Sequence, residues 1–105
     1  MRYKLIIRPE AEQDIRQAHS WYEQQNKGLG LSFVASLDAA FSNIQRSPLI
    51  YAKIHKYIRR ALIRRFPYGI FYFVKPSEII ILAVFHAKRN PAHWQRRYNN
   101  RLSNQ

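Results

Sequence analysis

One run constrains the fold more than any other: Glu78 to Phe85, EIIILAVF. A half-exposed strand alternates apolar and polar residues, and this run does not. It therefore reads as a strand buried on both faces or central in its sheet. Lys56 to Arg65 and Tyr68 to Val74 are rich in β-branched and aromatic residues and read as two further strands. Lys75-Pro76-Ser77 is a turn signal between the last two runs. Near the N-terminus, Tyr3 to Arg8 (YKLIIR) reads as a short first strand.

Between the first strand and the others the period changes from two to 3.6. Pro9 suits the first helical position, where its missing N–H costs nothing. Glu10, Glu12 and Asp14 follow in or near the first turn, where negative charge meets the positive end of the helix dipole. Ala11, Ile15, Ala18 and Tyr22, with Trp21 beside them, make one helical face. Asn26-Lys27-Gly28 ends this helix. A second is expected from about Leu31 to Gln45, its stripe formed by Phe33, Val34, Leu37, Ala40, Phe41 and Ile44, and Ser47-Pro48 stops it. Asn90 caps a short C-terminal helix with Pro91 in its first turn and Trp94, Tyr98 and Leu102 on its inner face. The order is β-α-α-β-β-β-α. This is an α+β fold, with the helix hairpin packed on one face of a small, mainly antiparallel sheet.

Charge is unevenly placed. The 105 residues hold 18 Lys and Arg against 6 Asp and Glu, a net charge of +12. Residues 1–40 are neutral, so the whole excess lies in residues 41–105, where Glu78 is the only acid. With 47% hydrophobic residues the chain is too apolar for a disordered polycation. A polyanionic partner is expected: nucleic acid, ribosome, membrane surface or acidic protein. Cysteine is absent, which excludes disulfides and thiolate metal sites and fits a reducing compartment. No run approaches the roughly 18 apolar residues needed to span a bilayer. The N-terminus lacks the layout of a signal peptide. The expectation is one domain over residues 1–105, soluble and cytoplasmic, without membrane contact.

Three stretches could carry chemistry. Arg59, Arg60, Arg64 and Arg65 lie on one predicted strand, whose alternation places Arg60 with Arg64 and Arg59 with Arg65. Such guanidinium groups suit phosphates or an acidic peptide; an edge strand charged against aggregation is the other reading, and it explains one arginine face more easily than two. His86, followed by Lys88 and Arg89, sits at a strand end. It could serve as general acid or base with arginines steadying a phosphate, or be a hydrogen-bonded edge histidine. Arg96, Arg97 and Arg101 lie opposite Trp94 and Tyr98, as a nucleic-acid or target contact or a solvated face. His19, His55, His86 and His93 show no metal-ligand spacing, so neither metal nor cofactor is expected.

These residues resemble a known group. Arg59-Arg60, Arg65-Phe66-Pro67-Tyr68, Tyr72 and then His86-x-x-Arg89-x-Pro91-x-x-Trp94 resemble the RelE/ParE superfamily of bacterial toxins. Pro9-Glu10-Ala11, Asp14-Ile15, Trp21-Tyr22 and Gly28-Leu29-Gly30 with Phe33 are similar to the first helix pair of the ParE branch. The resemblance implies a toxin encoded beside an antitoxin, whose acidic, partly disordered tail wraps the basic groove. Arg59, Arg60, Arg64 and Arg65 would be its contacts. Operator DNA would be reached only through the antitoxin.

The superfamily divides between cleavage of mRNA in the ribosomal A site and poisoning of DNA gyrase. The cleaving branch commonly carries an arginine in a Tyr/His-Arg-x-x-Tyr strand. Here that strand reads Tyr68-Gly69-Ile70-Phe71-Tyr72, and Gly69 cannot bind a scissile phosphate. The resemblance therefore points to the ParE branch and a gyrase poison. A ribosome-dependent endonuclease using His86, Arg65 and Arg89 is the alternative, with Arg64 completing a basic pocket. An inactive member that only binds antitoxin is the third reading. Arg89, Arg96 and Arg97 are candidate nucleic-acid or target contacts in the first two.

Overall fold

The computed structural model describes residues 3–103, and their side chains as far as Asn99. The side chains of Arg101 and Leu102, assigned above to the last helix, lie outside the described residues. In chain order the elements are β1 (Lys4–Ile7), α1 (Pro9–Gln25), α2 (Leu29–Arg46), β2 (Lys53–His55), β3 (Ile58–Leu62), β4 (Tyr68–Val74), β5 (Glu78–His86) and α3 (Ala92–Ser103). The sheet order is β1-β5-β4-β3-β2, antiparallel except for the parallel β1–β5 pair. None of the described helices is long and apolar enough to cross a membrane.

The apolar run of β5 is explained by its surroundings. It pairs with β1 on one side and β4 on the other. The α1–α2 hairpin covers one sheet face, where Ile79, Ile81 and Val84 meet Ala18, Phe33 and Leu37. α3 covers the other, where Ile80, Leu82, Ala83 and Phe85 meet Trp94 and Tyr98. The two neighbours Leu82 and Ala83 point to the same face because β5 carries a bulge. Phe71 pairs with Ala83 but Tyr72 pairs with Ile81, leaving Leu82 as the extra residue.

Four expectations need correction. The stretch Lys56 to Arg65 is not one strand. It is a tight turn at Lys56 and Tyr57 followed by β3, and the preceding Lys53–His55 supplies an unexpected edge strand. Lys56 adopts φ +51, a left-handed turn that no glycine, proline or asparagine announces. Arg64 and Arg65 therefore fall in the β3–β4 loop. α2 starts at Leu29 rather than Leu31, because Gly28 turns the chain at φ +88. Glu23 fastens that turn by accepting the N–H groups of Gly28 and Gly30, each at 3.0 Å. Finally, the buried stripe of α1 is Ala11, Asp14, Ala18 and Tyr22, whereas Trp21 is 55% exposed. The C-terminal cap is as expected: Asn90 Oδ1 accepts the Ala92 N–H at 2.9 Å.

Candidate functional site

Asp14 is the one buried charged side chain among the described residues. Its position follows from where β1 ends. Arg8 N–H still bonds the Ile81 carbonyl, and then the chain turns into α1 and leaves the outer edge of β5 without a strand. Asp14 Oδ2 accepts the Val84 N–H at 3.0 Å, and Arg97 Nη1 donates to the Leu82 carbonyl at 3.1 Å. Arg97 and Asp14 also bind each other through two parallel bonds of 2.7 and 3.0 Å. One ion pair thus occupies the open strand edge and ties α1, β5 and α3 together. Helical spacing suggested that Arg97 was an exposed contact, but three of its hydrogen bonds are internal. Arg96 remains exposed.

Beside this pair lies a cleft of about 220 Å³ between α1 and the ends of β4 and β5. Asp14, Gln17, Trp21, Tyr68, His86 and Arg89 reach it. The bulge at Leu82 makes the cleft possible. It returns Val84 to the hairpin side, so His86 also points there, opposite Tyr68 across the strand pair. The two rings meet edge to face at 5.5 Å. Burial pushes the Tyr68 hydroxyl pKa up, while Arg89 draws it down and Asp14 adds to the rise. His86 Nδ1 accepts the Lys88 N–H at 3.1 Å. A neutral His86 therefore carries its proton on Nε2, and its lone pair is turned to the backbone. The Arg89 guanidinium lies over the Phe85 ring at 3.9 Å, and Arg97 approaches the same ring at 4.5 Å.

A second cleft, of about 320 Å³, separates α2 from the β3–β4 loop. Ser36, Ala39 and Asn43 of α2 form one wall, and Leu62, Arg64 and Arg65 form the other. Arg65 is held at φ +73, in the left-handed region. Of the four clustered arginines, Arg59 is drawn inward. It donates to the carbonyls of Leu49 and Tyr51 at 3.1 and 2.7 Å and braces the α2–β2 loop. Arg60 is exposed and its aliphatic stem crosses Gly69, where an added Cβ would sit 3.1 Å from Cγ. The residues expected to work together are thus divided. His86 and Arg89 share the first cleft, and Arg64 and Arg65 line the second. Among the described residues, no three His, Asp or Glu side chains gather to hold a metal ion.

Sequence reasoning missed Asp14 as a site residue because it served the helix-dipole argument. The signal was present: Asp14 falls at i+3 from Ala11 and i−4 from Ala18, in the middle of the buried stripe.

The fold matches several solved structures. The ParDE toxin–antitoxin system from P. aeruginosa aligns with a TM-score of 0.72 at 19% identity, covering 80% of this chain and 95% of that one. A double-arginine mutant of the E. coli toxin RelE in the free state gives 0.71 at 17% identity, covering 96% and 98%. A RelBE toxin–antitoxin complex from Mycobacterium tuberculosis gives 0.58 at 18% identity, covering 82% and 99%. No curated protein sequence matches significantly. The sequence model of the ParE toxin of type II toxin–antitoxin systems, however, matches residues 5–91, nearly the whole stretch from β1 to the start of α3, and the chain therefore belongs to that family of toxins.

Proposed function

We propose that this toxin inhibits growth by binding DNA gyrase, without cutting RNA, and that an acidic antitoxin tail silences it from the α2/β3–β4 cleft. His86 carries the first half of the reading. A general base needs a free lone pair, and the neutral ring's lone pair is engaged by the Lys88 N–H. The other expected parts are dispersed: Arg65 lines a different cleft, and Gly69 stands under Arg60 where the cleaving branch has an arginine. For the second half, the cleft offers Leu62 for an apolar anchor and Arg64 and Arg65 for carboxylates. Arg60 packs over Gly69, outside this lining, and Arg59 holds the loop that shapes the wall. Two of the similar structures are toxin–antitoxin assemblies, which supports a cognate antitoxin as partner. Operator DNA is then contacted through that antitoxin.

The test uses two assays on the same purified toxin. Gyrase supercoiling should fall as toxin is added and recover with antitoxin. Messenger RNA in a purified translation reaction should stay whole, mapped by its 5′ ends. Intact supercoiling at excess toxin refutes the gyrase target. New ends at A-site codons would instead establish the endonuclease.

A further inference from the structure

We propose that the cleft between α1 and the ends of β4 and β5 binds one unstacked base of a single-stranded nucleic acid, with Trp21 as its stacking platform and Arg89 as its phosphate contact. The proposal goes beyond the reading above and stands apart from the antitoxin cleft.

Trp21 is the first reason. The chain has two tryptophans, and Trp94 is buried flat against Phe71 at 5.2 Å. Trp21 stays more than half exposed, yet it is braced edge-on against Tyr22 at 5.0 Å. A large ring held in water at the rim of a cavity is a surface prepared for another flat group. Tyr68 and His86 supply two further rings in the same cavity.

The polar groups fit a base as well. Gln17 offers both a donor and an acceptor, and neutral His86 presents an Nε2–H. Base edges carry the matching groups. The volume of about 220 Å³ suits a single nucleotide unit and excludes a duplex.

Charge decides against the obvious objection that Asp14 would repel a phosphate. Its carboxylate is neutralised by the two bonds from Arg97. Arg89 forms no ion pair among the described residues and is held in place over Phe85. It is therefore free to meet a phosphate. Trp21 also borders a second, shallower depression on the outer side of α1, with Gln13, Arg16, Ser20 and Gln24. A strand leaving the first cleft passes over Trp21 onto amides and a hydroxyl, and meets no carboxylate in that lining. The side chain of an aspartate or glutamate in a peptide would leave the three-ring cavity unfilled. The observations thus favour a base over an acidic peptide.

Fluorescence tests this on the purified full chain: Trp94 also emits but is buried, so the Trp21 signal is the difference between the wild type and Trp21→Ala, in which only Trp94 emits. A short oligothymidylate or oligouridylate should quench Trp21. An abasic phosphodiester of equal length and charge should bind more weakly and leave emission unchanged. Trp21→Ala should weaken binding of a labelled oligonucleotide about tenfold, the loss of one stacked base. Arg89→Ala should reduce the salt dependence by about one phosphate contact. Trp21 is exposed, so its replacement should leave the fold intact, which circular dichroism checks. Equal binding of the abasic strand overturns the proposal in favour of charge alone. Poly-glutamate that quenches Trp21 as strongly makes the cleft a peptide site and also overturns it. None of these readouts involves gyrase or antitoxin, so the two proposals fail separately.

Discussion

Replacing Arg97 by alanine leaves the Asp14 carboxylate buried with one backbone N–H and no cation. Breaking a buried pair in this way costs about 3–5 kcal/mol, chiefly because the remaining charge is stranded. Arg97 keeps 24% of its side chain exposed, so water reaches the gap and the lower end, about 3 kcal/mol, applies. Small domains have roughly 5–15 kcal/mol in all. With a urea slope of about 1.5 kcal/mol per molar, the unfolding midpoint should drop by about 2 M. The decisive comparison is a change of sign. In the wild type, Asp14→Asn should destabilise, because it weakens the bonds to Arg97. In the Arg97→Ala background it should stabilise, because it removes the stranded charge while an amide oxygen still accepts the Val84 N–H. Urea titrations of the four proteins measure this. If Arg97→Ala costs less than about 0.5 kcal/mol, the residue behaves as an ordinary surface cation and the edge-capping argument fails. If Asp14→Asn destabilises both backgrounds, the charge-stranding explanation is wrong.

Three further outcomes are expected. The N–H groups of Gly28 and Gly30 hold the Glu23 carboxyl below its ordinary value of 4.5, so this contribution is present above that value and is lost as pH falls through the lowered one; the protection of both glycine amides against exchange, taken relative to the intrinsic rate at each pH, should fall in acid, and protection that stays flat with pH would refute it. Tyr72 donates to the buried Pro48 carbonyl at 2.7 Å, so Tyr72→Phe should cost about 1–3 kcal/mol and lower Tm by several degrees in calorimetry; an unchanged Tm would mean the carbonyl finds water. Arg65→Gly should relieve the left-handed backbone at φ +73, for a net stability change between zero and a gain of about 1 kcal/mol. The same change should slow antitoxin association and flatten its salt dependence, and a loss of stability instead would contradict the strain argument.

Much of the fold was legible because two signals agreed along most of the chain. The helix hairpin showed both a 3.6 period and capping residues at its ends, and β5 showed burial on both faces. The arginine stretch failed for a definite reason. Strand alternation predicts faces only while a strand continues, and β3 stops at Leu62. Four arginines assigned to two faces of one strand became a loop brace, an exposed side chain over Gly69, and two loop residues on a cleft. The Lys56–Tyr57 turn was hidden because a lysine took the conformation that glycine or asparagine normally signals. Asp14 and Arg97 were hidden differently. Asp14 stands in an otherwise apolar stripe and Arg97 was placed opposite Trp94 and Tyr98, and each looked like a routine charge when its helix was read alone. The stripe position marks Asp14 as inward-facing, but only the meeting of two residues 83 apart in sequence gives Arg97 its place and Asp14 its partner.

The placement of His86 shows where sequence reading reaches its limit. A histidine at the end of β5 faces the hairpin or α3 according to whether the count of residues before it is odd or even. In most strands the apolar–polar pattern reveals an inserted residue, because the pattern shifts phase at the bulge. β5 is apolar on both faces, so the phase of its pattern carries no information. The extra residue at Leu82 is thus invisible in the very strand whose burial was most evident. Without it, Ala83 and Phe85 would face the hairpin and His86 would lie on the α3 side, away from Tyr68, Trp21 and Asp14. The aromatic cleft therefore depends on one residue of register, set by backbone pairing with β4 and held by the Asp14–Arg97 pair at the strand's open edge. The same pair that satisfies Leu82 and Val84 also removes the negative charge that would keep a phosphate out. Stability at the sheet edge and the electrostatics of the cleft are consequences of a single contact.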